Sequence, residues 1–161
     1  LFLDFGHNPH GLEAILSMAR RLLGDSQGRI AVSVGQAGDR TDPEILGLCD
    51  MLLSHGAVRV LLRNMKGYER GREEGAVAAM MRRELIGRGM EPESISVVDS
   101  ETDALDAALK WAKPGDVVLL LVHLQREAVQ QWLEARGLQD RRPDRKTKTA
   151  SHPEDSTGRG P

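Results

Sequence analysis

Arg29-Ile30-Ala31-Val32-Ser33-Val34-Gly35 and Asp116-Val117-Val118-Leu119-Leu120-Leu121-Val122 decide the fold. Both runs are short, rich in β-branched residues or leucine, and apolar at consecutive positions. A strand with one wet face would alternate, so these belong in a parallel sheet covered on both faces. Three more runs, over 1–5, 58–63 and 94–99, read as strands of the same kind. Longer helical patterns separate the five. Leu12, Ile15, Leu16, Ala19, Leu22 and Leu23 mark one apolar face, with Glu13, Arg20 and Arg21 away from it. Asp42 is expected to cap the second helix, with Pro43 at its first position and Gly56 closing it after Ser54-His55. A third spans 76–88 and ends at Gly89; a fourth spans 101–112, capped by Ser100 and left through Lys113-Pro114-Gly115-Asp116. The last spans 125–136 and stops at Gly137. This strict alternation predicts an α/β architecture, a doubly wound, mostly parallel sheet with helices on both faces.

The 161 residues fit one domain with an appendage. We place the domain at 1–137 and a polar tail at 138–161. Only 3% of the residues are aromatic, so the core must be aliphatic. A net charge of −2 argues against a dedicated nucleic-acid binder, and no apolar run approaches the roughly 20 residues of a membrane helix. One cysteine, Cys49, lies in an apolar helical stretch and reads as a small buried hydrophobe. It allows no internal disulfide or paired-cysteine metal site, and a cytoplasmic location is the expectation. The opening Leu1-Phe2-Leu3-Asp4 starts in mid-strand, as a piece of a longer polypeptide would.

In an open parallel sheet, ligands gather beyond the carboxyl ends of the strands. The first strand leads into Asp4-Phe5-Gly6-His7-Asn8-Pro9-His10-Gly11. The Asp4 carboxylate suits the vicinal hydroxyls of a ribose, and His7 and Asn8 suit phosphate at the positive end of the following helix. A capped turn, with Asn8 as N-cap and Pro9 at the first helical position, accounts for the same residues. The second strand leads into Gly35-Gln36-Ala37-Gly38-Asp39-Arg40-Thr41-Asp42, where the glycines permit a tight turn and Arg40 offers a forked cation for phosphate or carboxylate. Arg70-Gly71-Arg72-Glu73-Glu74-Gly75 follows the third strand and reads equally as a solvated charged loop.

Asp4-Phe5-Gly6-His7-Asn8-Pro9 resembles the D-[YG]-A-H-N-P stretch that opens the C-terminal domain of Mur ligases and their relatives, folylpolyglutamate synthetase and cyanophycin synthetase. Phe5 and Gly6 depart from it at positions concerned with packing. The Gly35 to Asp42 stretch is similar to the G-x-x-G-D-R-x-D loop of the same family, and Arg70-Gly71-Arg72 to the R-G-R loop of cyanophycin synthetases. The resemblance covers about 1–135. It weakens at the last strand, where many Mur ligases carry G-K-G-H-E and this chain has Val122-His123-Leu124-Gln125-Arg126-Glu127. No role is carried onto His123.

The resemblance implies a Rossmann-like lid domain of a ligase that activates a carboxylate with ATP as an acyl phosphate, which an amine then attacks. Asp4, His7, Asn8 and Arg40 would contact the nucleotide; Asp39, Arg40, Arg70 and Arg72 would contact an amino-acid or peptide-like substrate. ATP and Mg2+ would be held mainly by a central ATPase domain of the same polypeptide, because no G-x-x-x-x-G-K-[ST] occurs in this chain. Two other readings compete. A dinucleotide-binding domain of an oxidoreductase needs G-x-G-x-x-G after the first strand, which is missing. A non-catalytic interaction or regulatory domain would keep the fold and lose the chemistry.

The stretch 141–161 has too few apolar residues to offset its ordering entropy and is expected to lack fixed structure. Its cluster of Arg141, Arg142, Arg145, Lys146 and Lys148 reads as solvated. Amide exchange across 141–161 is expected to be close to unprotected; strong protection would show a packed element there.

Overall fold

A computed structural model describes residues 1–4 and 9–138. The expected disorder of 141–161, and His7 and Asn8, lie outside the described residues. Five strands form one sheet in the order β1-β5-β2-β3-β4: β1 (Phe2–Asp4), β2 (Ile30–Gly35), β3 (Ala57–Arg63), β4 (Ile95–Val98) and β5 (Val117–Leu121). Every pairing is parallel. The connecting helices are α1 (Pro9–Leu23), α2 (Asp42–Ser54), α3 (Ala76–Gly87) and α4 (Glu101–Trp111), and α5 (Arg126–Glu134) follows β5. The chain steps outward through β2, β3 and β4, then returns through α4 to insert β5 between β1 and β2.

Strand geometry sends alternate side chains to opposite faces, and the core divides accordingly. Ile30, Val32, Val34, Val60, Leu62, Val117, Leu119 and Leu121 join α1, α2 and α3 in one cluster. Ala31, Leu61, Val118, Leu120 and Val122 join Ala104, Leu105 and Ala108 of α4 and Val129 and Leu133 of α5 in the other. The consecutive apolar runs are thus two interleaved half-faces, each covered by helices. Burying each of the larger aliphatic side chains contributes roughly 1.5–3 kcal/mol.

Local differences from the expected elements have identifiable causes. The N-cap of α2 is Thr41, not Asp42: Glu44 accepts from the Thr41 backbone N–H at 2.9 Å and from its hydroxyl at 2.8 Å, forming a capping box around Pro43. Leu22, assigned to the apolar face of α1, is 55% exposed. At 100° per residue it lies about 80° from the centre of the stripe made by Leu12, Ile15, Leu16, Ala19 and Leu23. Pro92–Ser94 is a 3-10 turn, so β4 starts only at Ile95. Ser100 caps α4 as expected, accepting from the Asp103 N–H at 2.9 Å. Cys49 is fully buried, and burial pushes its thiol up to about 12, an unreactive hydrophobe. No helix among the described residues is long and apolar enough to cross a membrane.

At the amino end of the sheet, Asp116 clamps β2 to β5. Its carboxylate accepts from the Arg29 backbone N–H at 2.9 Å, from Arg29 Nη2 at 2.6 Å and from the Lys113 N–H at 2.8 Å. The Arg29 guanidinium stacks 4.0 Å above the Trp111 ring. A Cβ on Gly28 would lie 2.1 Å from the Gly115 carbonyl oxygen, so this corner closes only with glycine.

Hydrogen bonding from Arg29, aided by the backbone donors, holds the Asp116 carboxyl well below the usual carboxylate range. A carboxyl lowered in the folded state contributes stability that is present above its unfolded pKa of about 3.9 and lost as pH falls toward its folded value. Asp116→Asn is therefore expected to lower the melting temperature by several degrees at neutral pH, with the deficit shrinking below about pH 4. Melting curves against pH check this; a deficit independent of pH would assign the loss to packing.

Candidate functional site

The carboxyl edge of the sheet gathers the polar residues. Asp4 is exposed at the end of β1, and its backbone carbonyl accepts from the Val122 N–H at 2.8 Å, just beyond the end of β5. The loop after β2 lies directly against the loop after β3. Gly38 N–H donates to the Tyr68 carbonyl at 2.9 Å, and a Cβ on Gly38 would lie 1.9 Å from the Glu69 carbonyl oxygen. The close backbone approach expected of these glycines is thus an approach of one loop to the other.

Arg72 completes the junction. Its Nε donates to the Gly38 carbonyl at 2.9 Å, its Nη2 to the Arg40 carbonyl at 2.7 Å, and its Nη1 pairs with Asp42 at 2.7 Å. The guanidinium fork holds the loop carrying Asp39 and Arg40 in one shape. Asp39 is exposed, and the Arg40 side chain is 42% exposed, with Nη1 3.3 Å from Glu44 Oε1 one turn on. An exposed i,i+4 pair of this kind is weak, so it does little to hold the Arg40 side chain in place. Arg70 has a left-handed backbone, φ 48°, and its guanidinium lies 5.2 Å from the Tyr68 ring centroid. Arg40, Arg70 and Arg72 therefore share one loop junction, and Asp4 stands at a separate mouth beside β5.

Between the two loops is a small cleft, lined in part by Gln36, Gly38, Arg63, Asn64, Tyr68 and Glu69. Arg63 ends β3 and is only 4% exposed. It forms an ion pair through Nη1 with Glu101, the fully buried first residue of α4. Glu101 also accepts the backbone N–H groups of His123 at 2.6 Å, Leu124 at 2.9 Å and Gln125 at 2.8 Å. Burial alone would raise the Glu101 carboxyl; these three donors and Arg63 hold it below the ordinary carboxylate range. The Gln125 side chain returns the contact, accepting from the Glu101 N–H at 2.8 Å. Arg63 Nη2 lies 2.8 Å from His123 Nδ1.

The sequence indicated none of this network. Arg63 and Glu101 read only as the end of a strand and the start of a helix, and His123 carried no role. The available signal was an arginine directly abutting the Val60-Leu61-Leu62 run, where a fully buried guanidinium requires a buried carboxylate. Among the described residues, no group of three His, Cys, Asp or Glu side chains is placed to hold a metal ion.

The family model for "Mur ligase, glutamate ligase domain" matches residues 1–121. A cyanophycin synthetase from Geminocystis herdmanii (strain PCC 6308) is 27% identical over 120 residues, 74% of this chain. The chain spans only 13% of that relative's length. The structure of UDP-N-acetylmuramoyl-L-alanyl-D-glutamate–2,6-diaminopimelate ligase superposes with a TM-score of 0.57 at 16% identity. That match covers 84% of this chain and 29% of the other, and it shows the shared fold. Three quarters of the chain is covered by one family model, over the strands and loops that build the carboxyl edge, and the chain belongs to the Mur ligase family as its glutamate ligase domain.

Proposed function

We propose that this chain is the lid domain of an ATP-dependent ligase that forms amide bonds through an acyl phosphate. The observation that carries the reading is the carboxyl edge itself: an exposed Asp4 at one mouth and a clamped loop presenting Arg40 at the next, in a family of ligases. Asp4 accepts from the ribose hydroxyls of ATP. His7 and Asn8, which precede α1 in the sequence, contact the phosphates. Arg40 holds either a phosphate or the carboxylate of the incoming amine substrate, an amino acid or peptide-like molecule. Asp39, Arg70 and Arg72 belong to the substrate side. Arg72 acts there through the loop, since its fork is occupied by Gly38, Arg40 and Asp42.

A central ATPase domain of the same polypeptide supplies the P-loop and the Mg2+ ligands. Mg2+ neutralises phosphate charge during carboxylate activation. Closure of this domain over the central one excludes water from the acyl phosphate, which would otherwise hydrolyse, and brings the amine within reach of the activated carbonyl. The amine nitrogen forms the new C–N bond as the acyl C–O bond to phosphate breaks.

Two outcomes follow. The chain alone is expected to show no ATP hydrolysis and no amide formation, measured by phosphate release after rigorous purification. Reproducible turnover would refute the division of labour. In a longer polypeptide carrying the P-loop domain, Asp4→Ala is expected to preserve the fold and remove a charged hydrogen bond worth about 1.5–3 kcal/mol in the closed state. That corresponds to roughly a ten- to hundredfold fall in kcat/KM. An Asp4 that only holds its turn would instead lower the melting temperature and leave the kinetics near normal.

A further inference from the structure

Arg63 touches both halves of the carboxyl edge. On one side it walls the cleft between the loops after β2 and β3. A Cβ on Gly35 would lie 2.9 Å from Met65 Sδ, 3.0 Å from Arg63 Nη2 and 3.2 Å from its Nε, so glycine at the end of β2 relieves crowding around both side chains. On the other side its Nη2 meets His123 Nδ1 at 2.8 Å. Arginine only donates, so Nδ1 is the acceptor, and His123 is held as the neutral ring with its proton on Nε2. His123 directly follows Val122, whose N–H is bonded to the Asp4 carbonyl. One side chain therefore spans from the cleft to the turn beside the β1 mouth.

Stability alone gives no reason for such a group. A buried ion pair is often no more stabilising than apolar residues of the same volume. Arg63 Nε is moreover buried with no hydrogen-bond partner among the described residues. What the arginine adds is direction. Its rigid fork meets Glu101 and His123 at set angles, and Glu101 grips three successive N–H groups of the turn after β5.

We propose that Arg63 is a positioning residue that couples the substrate-side cleft to the nucleotide-side turn after β5, fixing the orientation of His123 and the relative placement of the two mouths. The names of the two sides rest on the lid reading; the coupling does not.

Histidine side-chain and backbone nitrogen NMR on this chain tests it. The wild type is expected to show His123 as a single neutral tautomer protonated on Nε2. The double substitution Arg63→Met with Glu101→Gln removes both charges at similar volume and avoids stranding a buried carboxylate. It is expected to release His123 into a tautomer mixture and to move backbone amides at both 36–38 and 123–125. An unchanged tautomer, with shifts confined to β3 and the start of α4, would overturn the coupling. Should the double variant not fold, Arg63→Lys keeps the charge, loses the fork and is read by the same two signals. A longer wild-type polypeptide without ligase turnover would count against the lid reading alone, since the NMR signals decide the coupling independently.

Discussion

β5 is hydrogen-bonded on both sides, to β1 and to β2, and its five residues are all buried. Among the described residues β1 pairs with no other strand, so the mouth carrying Asp4 exists only because β5 has entered the sheet. That entry requires the chain to reverse direction after β4. The reversal places α4 on the face opposite α1, α2 and α3 and creates the point where the loops diverge. The position of the site follows from the route of one strand.

The same return path brings Glu101, at the start of α4, beneath the turn that leaves β5. A carboxylate that is fully buried needs donors on every side, and here they come from three consecutive backbone N–H groups and one guanidinium. Removing either partner of such a buried pair typically costs about 3–5 kcal/mol, because the other charge is left uncompensated. β3, α4 and the exit of β5 are thereby made to agree in position where a ligand would meet them. At the opposite edge Asp116 does a related task for β2 and β5, with its partner Arg29 partly open to solvent.

The glycine-rich loop after β2 illustrates how a motif read as ligand-facing also serves its own chain. Gly35 makes room for Met65 and Arg63, and Gly38 for the Glu69 carbonyl. Arg72 then locks the loop through two carbonyls and Asp42. With that arginine engaged, Arg40 is left half-exposed, paired only with the equally exposed Glu44 among the described ion pairs.

The sequence by itself determined the five strands, the five helices and the burial of both faces, because consecutive apolar runs and capped helical stripes are local signals. The positions of Asp4 and of the Gly35 to Asp42 loop were likewise legible, since each begins where a strand ends. It did not determine the strand order, which depends on β5 passing between β1 and β2 rather than joining an edge. Leu22 and the Thr41 cap were misplaced by margins of one residue or part of a turn, where packing and one side-chain hydrogen bond outweigh the periodic pattern. The Arg63, Glu101 and His123 network was illegible as a network, because its members lie 38 and 22 residues apart and the apolar run before Arg63 hints at a buried charge without naming its partner. Only the folded sheet brings them together, and the burial of Arg63 and Glu101 makes that pair satisfy each other in place of water.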